Sequence, residues 1–106
     1  MELKIGDLDE LRSKSVQCIS VDQRQFVLIY YHQGFYALDN TCPHKFASLC
    51  TGTLRGDQLG CPWHGAEFNI VNGKSFSPLT PKGTNSYPVI IRNRSAFIDF
   101  QDNENR

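Results

Sequence analysis

Two short runs, Cys42-Pro43-His44 and Cys61-Pro62-Trp63-His64, constrain this chain more than anything else in it. Together they offer two thiolates and two imidazoles, a donor set suited to a metal centre and to little else. Each run mixes one sulfur with one nitrogen. Zinc modules commonly pair sulfur with sulfur and nitrogen with nitrogen, so a structural zinc site fits this arrangement less well. A two-iron cluster divides the donors naturally, with Cys42 and Cys61 on an inner iron and His44 and His64 on an outer one.

Read outward from there, residues 36–68 run Tyr-x-Leu-x-Asn-x-Cys-Pro-His, then sixteen residues, then Cys-Pro-Trp-His-Gly-x-x-Phe. In this pattern the chain resembles the soluble Rieske ferredoxins that serve bacterial oxygenases. The resemblance implies an all-β Rieske fold in a single domain over residues 1–106. An antiparallel β-sandwich base domain (1–40 and 82–106) would receive a small inserted cluster-binding subdomain (about 41–81). It also implies one [2Fe-2S] cluster on Cys42, His44, Cys61 and His64. The function it implies is that of an electron carrier without a catalytic site of its own. Such a carrier takes one electron from a flavin-dependent NAD(P)H reductase and passes it to a terminal oxygenase.

Around the expected cluster tip stand Pro43, Lys45, Phe46, Pro62 and Trp63, joined by the Ser77-Pro78-Leu79-Thr80-Pro81 loop that in the family covers the cluster. Two readings of that patch stay open, a small apolar docking surface with one positive charge and a simple shield against water. An alternative function is a Rieske subunit or regulatory domain of a larger reductase, like the small subunits of some nitrite reductases. Those relatives often lack cluster ligands, and all four are present here. An oxygenase in its own right would need a second iron on two histidines and a carboxylate. The chain has three histidines, and after His44 and His64 only His32 is left, beside a turn and expected at the surface.

At 106 residues the chain has the size of one domain with one core. Eleven basic residues balance eleven acidic ones, which gives neither nucleic acid nor an anionic membrane a reason to bind. The longest apolar run, residues 26–31, falls far short of the about 20 residues needed to span a bilayer. The first residues carry no leader signature, so a cytoplasmic monomer is expected. In respiratory Rieske proteins, by the same resemblance, a disulfide joins the two cluster loops, but Ala47 and Trp63 occupy those places here. Cys18 and Cys50 are left over and are expected as separate, reduced, buried thiols.

Along the chain, strands are expected at residues 3–5, 15–21, 26–31 and 35–39, with one helical turn possible over 7–11. The apolar run 26–31 predicts a strand buried on both faces, whereas in 15–21 Val16 and Cys18 oppose Ile19 and Val21, leaving its burial ambiguous. From 40 to 80 the chain becomes rich in glycine and proline, with brief strands at 53–55, 58–61 and 67–70 and a tight turn at Asn72-Gly73. Gly52, Gly60 and Gly65 are expected at tight turns or close backbone approaches. A final hairpin, 87–92 and 96–100, is expected to close the sheet begun by residues 15–39.

The donor set also bears on redox potential. Two imidazoles in place of two thiolates make the oxidised site neutral, which raises the potential from about −400 mV into a window of roughly −150 to +300 mV. High-potential family members donate hydroxyls to the cluster sulfurs from a Ser two residues after the second His and from a nearby Tyr. This chain has Ala66 and Phe68 instead, which predicts a low-potential carrier.

Overall fold

The computed structural model describes residues 2–41, 48–62, 66–76 and 83–100. Ten strands dominate it, and the first seven elements are β1 (Glu2–Asp7), α1 (Leu8–Leu11), β2 (Val16–Val21), β3 (Arg24–Tyr31), β4 (Gly34–Asp39), a 3-10 turn (Leu49–Thr51) and β5 (Thr53–Arg55). There follow β6 (Gln58–Gly60), β7 (Glu67–Asn69), β8 (Ser86–Tyr87), β9 (Val89–Arg92) and β10 (Ser95–Asp99). No helix among the described residues is long and apolar enough to cross a membrane.

Three hairpins share one device. Asp22-Gln23, His32-Gln33 and Asn93-Arg94 all place two consecutive residues at positive φ, between 49° and 66°. Two-residue hairpin loops need that handedness so that the turn matches the strand twist. They set the pairings Val21↔Arg24, Tyr31↔Gly34 and Arg92↔Ser95. With register set, alternation along β3 sends Phe26 and Leu28 to one face and Val27 and Ile29 to the other, and all four are buried. The apolar run is therefore a strand covered on both sides. The ambiguity in β2 resolves the same way, with Ile19 and Val21 on one core and Val16 on the other.

The last hairpin corrects an expectation. Ser86–Tyr87 alone joins the sheet of residues 15–39, pairing with β4 to give the order β2-β3-β4-β8. At Pro88, which has no N–H to give, the strand is interrupted. Beyond it β9 and β10 leave to pair with β1, forming a second antiparallel sheet in the order β1-β10-β9. Leu3, Ala96, Ile98 and Phe100 then meet Phe26, Leu28 and Ala37 across the gap, closed at one end by Leu11 from α1. Arg92–Glu2 and Arg94–Asp9 ion pairs lace the surface of the second sheet, and Arg94 with Arg12 holds the Asp9 carboxyl below its ordinary range.

On the opposite face of the central sheet lies a third, smaller sheet, β5-β6-β7. Leu59, Phe68 and Ile70 from this part of the chain, with Leu49 from the 3-10 turn, bury Val27, Ile29 and Leu38. After β7 the chain turns back through Asn72-Gly73 as expected. The Asn69 side chain accepts from Val71 and Asn72, Asn72 accepts from Lys74, and Gly73 takes φ +76°. A Cβ at Gly73 would fall 2.0 Å from the Thr84 carbonyl oxygen, so glycine lets two chain segments touch there.

Candidate metal centre

Cys61 follows β6 directly and is almost fully buried, packed with Leu59, Ala66 and Phe68. The pairing of Gly60 with Glu67 brings the two strands together, and the Cys61 amide donates to the Ala66 carbonyl at 2.6 Å. Cys61 and Ala66, on either side of residues 62–65, are thereby held together. Pro62 is exposed at its start, while Trp63, His64 and Gly65 lie outside the described residues.

Thr41 and Ser48, which flank residues 42–47, are drawn together in the same manner. Thr41 bridges Ser48, and Asn40 spans both sides of the opening. Its carbonyl accepts from the Leu49 amide at 2.6 Å and its Oδ1 from the Cys50 amide at 2.8 Å, while its own amide donates to the Gln25 carbonyl. Among the described residues Asn40 is the one buried polar side chain, and the Cys50 amide at its Oδ1 and Gln25 Oε1 at 3.5 Å from its Nδ2 offset the cost of taking it out of water. In the sequence Asn40 reads only as one position of the Tyr-x-Leu-x-Asn-x-Cys pattern. A polar residue two positions before the first cysteine is the available signal. Cys42, Pro43, His44, Lys45 and Phe46 lie outside the described residues, as does Ala47.

The two loop bases are adjacent. Leu49, Cys61 and Ala66 share one core, and a Cβ at Gly52 would stand 1.9 Å from the Gly60 carbonyl oxygen. Gly52 thus serves a close backbone approach, which puts the 3-10 turn against the strand that delivers Cys61. A third segment, 77–82, contains Pro78 and lies outside the described residues. Its flanks are tied to the same region, Phe76 donating to the Glu67 carbonyl and Thr84 to that of Gly73. Beyond Thr84, Tyr87 and Asn85 both donate to the Asp39 carboxylate, fixing the return of the chain to β4.

Cys18 and Cys50 are not separate buried thiols. A disulfide joins them, with Cα atoms 5.1 Å apart; Cys18 is exposed and Cys50 half-buried. Their separation of 32 residues hid the contact, which arises only when the 3-10 turn packs beside β2. His32 sits exposed in the β3–β4 turn against the Tyr31 ring.

Three of the four expected ligands lie outside the described residues, and among those described no group of three or more His, Cys, Asp or Glu stands together. What is visible fits an iron–sulfur group. A sulfur donor sits in a buried core beside the small side chain of Ala66, and Leu49, which follows segment 42–47 by two residues, lies in the same core. Thiolate in such surroundings is the soft ligand that iron–sulfur clusters use. Ala66 and Phe68, which share this core with Cys61, carry no hydroxyl.

Comparison with known proteins agrees. Residues 1–88 match the Rieske [2Fe-2S] domain. The ferredoxin component of the naphthalene 1,2-dioxygenase/salicylate 5-hydroxylase systems of Ralstonia sp is 32% identical over 95 residues, covering 89% of this chain and 90% of the relative. Ferredoxin CarAc of Metapseudomonas resinovorans is 51% identical over 75 residues, 67% of this chain and 68% of the relative. Among solved structures, one of a complex of reduced oxygenase and oxidised ferredoxin in carbazole 1,9a-dioxygenase superposes with a TM-score of 0.82. It is 26% identical and covers 92% of this chain and 91% of its counterpart.

Proposed function

The chain belongs to the Rieske [2Fe-2S] domain family, and from that premise we propose that it is a one-electron carrier between a flavin-dependent reductase and an oxygenase. In this reading residues 41–81 form the subdomain in which Cys42 and Cys61 hold one iron of the cluster and His44 and His64 the other. The cluster, when bound, supplies reversible one-electron chemistry. Cys61 contributes an anchored thiolate, kept from water by Leu59 and Phe68. Asn40 and the Cys61–Ala66 hydrogen bond hold the two ligand loops at fixed spacing, which limits rearrangement when the charge of the site changes. Pro43, Lys45, Phe46, Pro62, Trp63 and Pro78 form the patch presented to partners.

The observation that carries this reading is the near full-length match to ferredoxin components of oxygenase systems, 90% of the Ralstonia relative being covered. The same relative is an electron-carrying component of its system, and among the described residues His32 sits in an exposed turn. Stopped-flow mixing of the holoprotein with a reduced flavoprotein from an aromatic-ring dioxygenase system, then with its oxygenase, tests the proposal. One electron should pass per chain in each step. Failure to accept electrons from any such flavoprotein, with reduction by dithionite intact, would refute it.

The potential follows from the surroundings of Cys61. With Ala66 and Phe68 in place of hydroxyl donors, less charge is withdrawn from the reduced site. A midpoint near the lower end of the family window, roughly −150 mV, is expected at neutral pH by voltammetry. A value well above zero would contradict it.

A further inference from the structure

We propose that the Cys18–Cys50 pair is a thiol-exchange site, opened by low-molecular-weight thiols at Cys18 and closed again by their disulfides. The proposal is independent of the partner assignment above. Its two sulfurs differ in access. Cys18 lies exposed on β2, an edge strand of the central sheet, whereas Cys50 is half-buried in the 3-10 turn and packs against the core that contains Cys61. Exchange depends on access to the attacked sulfur, and exposed disulfides are the labile ones. Beside the pair runs a depression lined by Ile19, Ser20, Gln25, Ser48 and Thr51, where the exposed Ser20, Ser48 and Thr51 hydroxyls and the Gln25 amide stand next to the disulfide.

The chemistry balances without the iron centre. An external thiolate attacks Cys18 Sγ, a sulfur–sulfur bond forms there, and the Cys18–Cys50 bond breaks to release the Cys50 thiolate, which takes up a proton. A second external thiolate then attacks the external sulfur of the mixed disulfide, leaving the Cys18 thiolate to be protonated. In sum two thiols are oxidised to their disulfide and the cystine gains two electrons and two protons. The reverse sequence consumes one small disulfide.

Opening the bond does not dismantle the turn. Cys50 and Leu49 remain hydrogen-bonded to Asn40, Gly52 donates to the Leu49 carbonyl, and Leu49 is fully buried. The two thiols stay about where they were, at a Cα spacing of 5.1 Å that lies inside the ordinary disulfide range, so the bond can re-form without moving backbone. What changes is the tether. Cys50 stands three residues after segment 42–47, and the disulfide is the covalent link between the exit of that segment and the edge of the sandwich. Opening it removes that covalent link, so the turn 49–52 is held by hydrogen bonds and packing alone while the sheets stay intact.

The test incubates the holoprotein in reduced and oxidised glutathione at graded ratios, quenches it with an alkylating reagent and reads Cys18 and Cys50 by mass spectrometry. Reversible interconversion of disulfide and dithiol in folded protein is expected. Cys50→Ser should accumulate one glutathione on Cys18, at least tenfold faster than Cys18→Ser does on Cys50. A bond that stays closed in reduced glutathione alone, or equal rates in the two variants, would overturn the assignment. Amide exchange at residues 49–52 should rise several-fold in the dithiol form with residues 26–29 unchanged; equal exchange in both forms would overturn the tether.

Discussion

Cys61→Ser is expected to purify without iron or acid-labile sulfide, colourless and silent in paramagnetic resonance after dithionite, while keeping the far-ultraviolet signature of its sandwich. The serine oxygen is a harder donor than thiolate and is scarcely ionised at neutral pH, so it competes poorly for a cluster that soft sulfur stabilises. The substitution also places a hydroxyl in a core made of Leu59, Ala66 and Phe68, where an unpaired polar group costs about 1–3 kcal/mol. The core between the two larger sheets, built on Phe26, Leu28 and Ile98, does not contain that position and should persist. Cys18→Ser serves as the contrast: it opens the Cys18–Cys50 bond but removes no proposed ligand, and the Asn40 hydrogen bonds still hold Leu49 and Cys50, so the iron content should stay at the level of the unaltered protein. Iron and sulfide analysis of both variants decides the matter. Near-normal iron in Cys61→Ser would remove Cys61 from the ligand set, and with it the division of donors between two irons.

Why Cys61 could be singled out in advance, while other features could not, is a matter of range. The Cys-Pro-Trp-His run is local, and so are the two-residue turns at Asp22-Gln23, His32-Gln33 and Asn93-Arg94 that set three hairpins. Continuous apolar character in β3 reports burial on both faces, because no polar position remains to face water. Alternation in β10 is different. It shows that Ala96, Ile98 and Phe100 share a face, but not which sheet that face belongs to, and an alternating strand fits either layer of a sandwich. The choice was made by Pro88, which interrupts the strand, and by β1 at the far end of the chain, which supplies the partner. The Cys18–Cys50 contact likewise depends on packing between segments 32 residues apart, for which spacing carries no signal. Asn40 is intermediate. Its buried amide reads as an ordinary loop residue until the Leu49 and Cys50 amides are seen to converge on it.

The same layering separates the effects of two core truncations. Phe68→Ala and Ile98→Ala each empty a fully buried site, one in the core shared with Cys61 and the other between the two larger sheets. Deleting a buried aromatic ring costs about 3–5 kcal/mol and an isoleucine about 2–5 kcal/mol, transfer and cavity terms together. At roughly 4–8 °C per kcal/mol for a domain of this size, both variants should melt far below the parent, Phe68→Ala by more than about 12 °C. Their iron centres should behave differently. Phe68 pairs across the ladder with Leu59 and packs on the hairpin that delivers Cys61, so its removal loosens the ligand itself. Ile98 pairs with Leu3 and meets Phe26 and Leu28, on the far side of the central sheet from Cys61. At a temperature where both variants remain folded, an iron chelator should bleach Phe68→Ala several-fold faster than the parent and Ile98→Ala at the parental rate. Equal bleaching of the two would mean that retention of the cluster follows global stability alone, and that the core around Cys61 has no separate part in holding it.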